Sequence, residues 1–332
     1  MREFLSHHRE APRLKGVFTL SLFLIVTGFL LLVLLVAANY FYTVGIARGS
    51  SAMDVLAARD PLFTGADFDK DEDREWWRRQ PFETLVIRSA DGLALKGVYL
   101  PAPIPSLKTV LLFHGYRGAA QMMAGFARFY HDELNCNVLL PDARGHGESQ
   151  GRYIGMGWAD RPDVLGWVRE AEKKAGPGAK IVLAGVSMGG AVVMMAAGEE
   201  LPSSVRCLIE DCGYDSVQNE FKYQLKRLYG LPVFPLLPIA SLICKLRAGF
   251  TFGEASCVAQ LKKARVPVLF IHGAEDDFVP PNMMWSCYEA CASPKRFWLA
   301  PGAGHGLSFQ TQPEAYKRIV EQWMAETMDT RP

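Results

Sequence analysis

The chain has 332 residues, 49% of them hydrophobic and 21% charged, with 36 basic against 35 acidic side chains and a formal net charge of +1. That length holds one large domain plus additional segments, and so even a charge balance gives no reason to expect a nucleic-acid partner. The cysteines (Cys136, Cys207, Cys212, Cys244, Cys257, Cys287 and Cys291) are odd in number, scattered and without a Cys-x-x-Cys pair. They do not look like a disulfide framework or a zinc site, and most of them read as small apolar side chains. No metal or cofactor is expected.

Residues 1–15 are polar and basic, with Arg2, Arg9, Arg13 and Lys15, whereas Gly16 to Ala38 contains no charged residue and is rich in Leu, Val, Phe and Ile. At 1.5 Å per residue this run is long enough to cross a hydrocarbon core of about 30 Å. Tyr40, Phe41 and Tyr42 follow it, as interfacial aromatics do. We therefore expect a transmembrane helix over 16–39. A cleaved signal peptide is the competing reading, but its apolar region is normally about 7 to 15 residues long. More Lys and Arg lie before the span than in the stretch just after it, which carries Arg48 and Arg59. The positive-inside bias then predicts a single-pass protein with a cytoplasmic N-terminus and the larger part outside.

Residues 40–81 read as a linker that includes the charge-dense stretch from Asp67 to Arg74. The spacing of Asp67, Asp69 and Asp71 is that of the start of a calcium loop, but Glu72 stands where glycine is needed and Arg78 where glutamate is needed. The calcium reading fails. A solvated linker or exposed helix start remains, with Trp76 and Trp77 docking it onto the domain.

That domain is predicted over 82–332. Strands are expected at Glu83–Arg88 and Leu93–Leu100 around the turn Asp91-Gly92, then at Thr109–Phe113, Asn137–Leu140, Ile181–Ala184, Val205–Glu210, Pro267–Ile271 and Arg296–Ala300. Helical stretches fall between them, near Ala119–Glu133, Pro162–Lys174, Asn282–Ala292 and Pro313–Thr327, with one more after Ser187. Short, fully apolar strands alternating with helices predict a mostly parallel, eight-stranded α/β sheet covered on both faces. In such sheets function gathers at the carboxyl ends of the strands.

Those ends carry His114-Gly115-Tyr116-Arg117-Gly118, Asp142-Ala143-Arg144-Gly145-His146-Gly147, Gly185-Val186-Ser187-Met188-Gly189, His272-Gly273-Ala274-Glu275-Asp276-Asp277-Phe278-Val279-Pro280, and Gly304-His305-Gly306. A serine at the apex of a strand-to-helix turn needs small neighbours on either side, which is the nucleophile-elbow pattern. The bland reading of Ser187 is a loop serine that caps the following helix. With all five motifs in this order, the chain from Phe82 onward resembles the α/β-hydrolase superfamily, closest to its membrane-anchored, peptidase-like and acyl-ester-hydrolase-like branches.

The resemblance implies a serine hydrolase with Ser187 as nucleophile, His305 as its base and Asp276 as the acid that orients the base, in the chain order Ser, acid, His. Asp277 and Asp211 compete for the acid's role. The resemblance also implies an oxyanion hole from the backbone N–H groups of Met188 and Tyr116, with the Tyr116 hydroxyl as a further candidate donor. His114, His146 and His272 read as braces of strand-end loops, and Asp142 with Arg144 as an internal ion pair or backbone contacts. An insertion over 213–254, in which Pro232, Pro235 and Pro238 break a short apolar run, is placed where relatives carry a cap. It reads either as cap helices buried on the core or as an apolar surface toward an acyl pocket or the bilayer. The substrate expected is a small-molecule, lipid or peptide acyl compound. The rival is an anchored, non-catalytic binding module on the same fold.

Overall fold

Strands with apolar side chains on both faces require cover on both sides, and the sheet is built accordingly. The computed structural model describes residues 10–49 and 70–329. The basic residues Arg2 and Arg9, the stretch 50–69 with Arg59, and the first two aspartates of the calcium-like spacing, Asp67 and Asp69, lie outside the described residues.

The strands are β1 (Glu83–Arg88), β2 (Ala94–Leu100), β3 (Lys108–Phe113), β4 (Asn137–Pro141), β5 (Lys180–Val186), β6 (Val205–Asp211), β7 (Val268–Gly273) and β8 (Lys295–Ala300). They form one sheet in the order β1-β2-β4-β3-β5-β6-β7-β8, in which β2 runs antiparallel to both neighbours and β3 to β8 are parallel. Alternation sorts the side chains: Leu111, Phe113, Ile181 and Leu183 join one core, and Val110, Leu112, Val182 and Ala184 the other. The first core is closed by α4 (Arg161–Ala175), α5 (Met188–Ala196), α8 (Cys257–Leu261) and α9 (Pro281–Ala290), through Trp167, Met194, Cys257 and Met284. The second is closed by the helical stretch 120–133 around α3 (Ala124–Arg128) and by α11 (Pro313–Thr327), through Phe126, Phe129, Val320 and Trp323.

The chain passes from β3 outward to β4 and then crosses back to β5 on the other side of β3. This switch point opens a crevice at the carboxyl ends of β3 and β5. Phe113 pairs in register with Gly185, so the loops that leave the two strands lie side by side.

The N-terminal helix, α1 (Glu10–Gly45), differs from the expected span. Its stretch from Phe18 is long and apolar enough to cross a membrane, and the large apolar side chains from Phe18 to Val36 are exposed apart from the half-buried Leu34. It does not stop at the interfacial aromatics but continues unbroken to Gly45. Ala38, Tyr42, Val44 and Ile46 are buried in the first core. Beyond the helix, Ile154 donates its backbone N–H to Ile46 O (2.7 Å) and Arg48 donates its own to Arg152 O (3.1 Å). The Arg48 guanidinium reaches Ser149 O (2.6 Å) and Gly147 O (2.8 Å). Residues 40–49 are therefore part of the folded body, and a linker can begin only after them. Beyond residues 50–69, α2 (Asp71–Arg79) docks through Trp77, whose ring lies 4.1 Å from that of Phe82.

The insertion between β6 and β7 forms α6 (Val217–Tyr229) and α7 (Leu236–Ala248). Ser216 caps α6, its hydroxyl accepting from Asn219 N–H at 3.2 Å, and Gly230 ends it in the left-handed conformation at φ 62°. At 13 residues, α7 is about 20 Å long, too short to span a bilayer. It runs along α1, where Arg247 Nη1 donates to Asn39 Oδ1 (2.8 Å).

Candidate active site

At the turn between β5 and α5, Ser187 adopts φ 57° and ψ −118°, a strained conformation for a non-glycine residue. The flanking glycines follow from crowding. A Cβ on Gly185 would stand 2.2 Å from Gly189 O, and one on Gly189 would stand 2.0 Å from Phe113 O. The turn is held from below by the Ser187 N–H, which donates to Asp211 O (2.8 Å). Ser187 makes no side-chain capping bond to α5, so the bland reading of a capping serine does not hold.

Its hydroxyl instead meets His305, with Oγ and Nε2 at 2.8 Å. On the other side of the ring, His305 Nδ1 lies 2.8 Å from Asp276 Oδ2. All three residues are buried. Asp276 Oδ1 accepts the backbone N–H groups of Phe278 (3.0 Å) and Val279 (2.8 Å), and His272 Nε2 is 3.3 Å from Oδ2. Burial opposes the charge on Asp276, but the charge of His305 and the hydrogen bonds from His272 and His305 outweigh it and hold the carboxyl well below the usual range. The Phe278 ring stacks at 4.9 Å on His305 and shields it.

The competing carboxylates sit elsewhere. Asp277 is exposed. Asp211 is buried under the elbow, accepts from Ser308 Oγ (3.1 Å), and is pushed up to about 6, chiefly by burial. The other histidines brace loops: His114 Nδ1 donates to Gly115 O (2.8 Å) while Nε2 accepts from Ala143 N–H (3.0 Å). His146 does the same between Arg144 O and Arg117 N–H, and burial lowers its pKa to about 3, with His114 adding to the effect. His272 donates through Nε2 to Val279 O (2.8 Å). Asp142 and Arg144 do not pair with each other. Asp142 accepts the backbone N–H groups of Ala120 and Glu148, whereas Arg144 bridges Asp163 and Asp91, both at 2.9 Å.

The loop after β3 lies against Ser187, since a Cβ on Gly115 would be 3.5 Å from Ser187 Cβ. Met188 is the first residue of α5, where the backbone N–H groups have no partner within the helix. The hydroxyl of Tyr116 is directed away from an oxyanion role: it donates to Val44 O (3.0 Å) and Gly45 O (3.2 Å), carbonyls at the end of α1 that the helix itself leaves without partners. Among the described residues, one set of side chains converges as metal ligands do, Cys212 with Asp276 and His305. The last two are the partners already described, and their facing atoms bond to each other.

Ser187 opens into an apolar pocket walled by α6, α7, Phe278 and the end of α1. Its one acidic group is Glu220, which the sequence does not mark out. Glu220 is buried on α6, with Oε1 accepting from Gln224 Nε2 (2.8 Å) and Oε2 without a partner. Burial, helped by Asp276 and Asp215 and opposed by Gln224 and Arg227, pushes its carboxyl up to about 8. The folded state therefore keeps the proton that the unfolded chain releases near pH 4.3, so stability falls as pH rises from there through about 8 and then levels. Glu220→Gln is expected to remove this slope. Thermal unfolding at pH 5 and pH 9 checks it: the wild type should lose more melting temperature between the two than the variant, and parallel losses would refute it.

Sheet order, elbow and site geometry define a hydrolase-type α/β protein. A profile of the alpha/beta hydrolase family matches residues 110–319, and the chain belongs to that family. It is similar to the Bacillus subtilis protein YqkD, 31% identical over 246 residues that cover 74% of this chain and 80% of that one. It is similar also to the Schizosaccharomyces pombe protein bem46, 25% identical over 249 residues covering 74% and 77% of the two chains. Among solved structures, an esterase of Pyrococcus furiosus superposes with a TM-score of 0.61 at 22% identity, covering 78% of this chain and 95% of that one.

Proposed function

We propose that the protein is a membrane-anchored serine hydrolase that cleaves an ester, thioester or amide through an acyl-enzyme on Ser187. The observation that carries this reading is the buried line Ser187 Oγ, His305 Nε2, His305 Nδ1, Asp276 Oδ2, with both contacts at 2.8 Å. In the reaction His305 takes the Ser187 proton as Oγ attacks the substrate carbonyl. Asp276 holds Nδ1–H and stabilises the imidazolium. The backbone N–H groups of Met188 and Tyr116 receive the oxyanion, where each donor is worth about 2.7 to 4 kcal/mol. His305 then passes the proton to the leaving group, and water repeats the sequence to free the acid. The α1 span is read as retained, with the N-terminus cytoplasmic and the catalytic domain outside.

The test is a panel of p-nitrophenyl esters and aminoacyl p-nitroanilides with the full chain in nanodiscs, together with a fluorophosphonate probe. Turnover of at least one class and an adduct on the Ser187 peptide are expected. No turnover and no adduct would favour the binding-module reading. A membrane-impermeant form of the probe should label intact cells; labelling only after lysis would reverse the orientation.

A further inference from the structure

We propose that the last turns of α1 are a substrate-binding element, and that the pocket they complete takes the long acyl chain of a lipid drawn from the bilayer in which the same helix stands. This rests on the serine-hydrolase reading and names its substrate class. Phe41, Val44 and Gly45 of α1 line the same pocket as Ser187, opposite Phe221 and Leu228 of α6 and Leu237 of α7. The fit is close at Gly45, where a Cβ would stand 2.9 Å from the Phe221 ring. The pocket's lining is thus mostly apolar, which suits a hydrocarbon chain.

Its position matches. Val36, the last exposed aliphatic residue of α1, precedes Phe41 by five residues on one unbroken helix, which is about 7.5 Å of axial rise. The acyl site therefore sits at the height of the headgroups. Beside it the cap presents more apolar surface: Phe234 is 78% exposed, and Leu242 and Leu246, one turn apart on α7, are 57% and 78% exposed. α7 runs along the end of α1, and Lys245 and Arg247 flank Leu242 and Leu246 as cations at a membrane interface do. The occupant of this apolar surface is the bilayer itself. The Tyr116 hydroxyl fastens the Val44 and Gly45 carbonyls to the loop beside Ser187, so the wall and the reacting centre keep a fixed spacing.

The experiment measures kcat/KM for p-nitrophenyl butyrate and p-nitrophenyl palmitate with the full chain in nanodiscs. Phe41→Trp and Val44→Phe, which fill the wall, should lower the palmitate-to-butyrate ratio at least tenfold. Val44→Ala, which enlarges it, should move the ratio the other way. Leu242→Glu with Leu246→Glu should lower turnover of palmitate ester carried in phosphatidylcholine vesicles more than in detergent micelles. Ratios at the wild-type value in all these variants, each still labelled by fluorophosphonate, would overturn the proposal while leaving the serine mechanism standing. Loss of labelling in the wild type would instead overturn the mechanism on which it rests.

Discussion

Ser187→Ala is expected to abolish ester turnover and fluorophosphonate labelling while leaving the melting temperature near that of the wild type. Removing the nucleophile of such a set lowers kcat on the order of 10⁶-fold, or roughly 8 kcal/mol of barrier. The fold is expected to survive because alanine meets the same backbone strain at φ 57° as serine does. What keeps the turn in place is the Gly185 and Gly189 contacts and the Ser187 N–H bond to Asp211 O, none of which involves Oγ. Circular dichroism, thermal unfolding and probe labelling on one preparation check all of this. Labelling at the wild-type level would place the nucleophile elsewhere.

Asp276→Asn is expected to cost about 10⁴ in kcat. The reason lies in how the carboxyl is held. Two backbone N–H groups, from Phe278 and Val279, point at Oδ1 and would keep the carbonyl oxygen of an asparagine. Its NH₂ would then face His305 Nδ1, which could only accept, so the ring's proton would move to Nε2 and face Ser187. A ring in that tautomer cannot take the serine proton. Asp277→Asn serves as the comparison. That residue is exposed, and its substitution should change stability by no more than about 0.5 kcal/mol and kcat by no more than roughly twofold. Equal losses in the two variants would sink the assignment of the acid.

The eight strands and the order of the motifs were legible because both are local. An apolar run of five residues next to a glycine reads as a buried strand end wherever it occurs, and Gly185, Ser187 and Gly189 carry their steric reason within five positions. What escaped was long-range. Tyr40, Phe41 and Tyr42 have the composition of an interfacial belt, and nothing near them in the chain says that their helix continues into a pocket wall formed with residues near 221 and 237. Arg48 reads in the sequence as a topological charge, whereas its guanidinium closes on carbonyls about a hundred positions away. The resemblance offers the Tyr116 hydroxyl as an oxyanion donor, whereas two helix-end carbonyls without intrahelical partners accept its hydrogen bond. Glu220 stands in an amphipathic helix where a carboxylate ordinarily meets water, and its burial comes from how α6 lies over the site.

The Arg48 clasp also bears on how the protein would meet its substrate. An enzyme on a loose tether samples a hemisphere of solution, and its rate tracks bulk concentration. Here Ile46 and Arg48, just past the helix, are bonded to the 147–154 loop, so on the proposed reading the folded body would not pivot freely about the span. Its reacting serine would travel at one height and one tilt, as a plane-confined catalyst. For such a catalyst the governing quantity is the mole fraction of substrate among surrounding lipids, so diluting the bilayer with inert phospholipid at constant total substrate should slow it, while diluting the vesicle suspension should not.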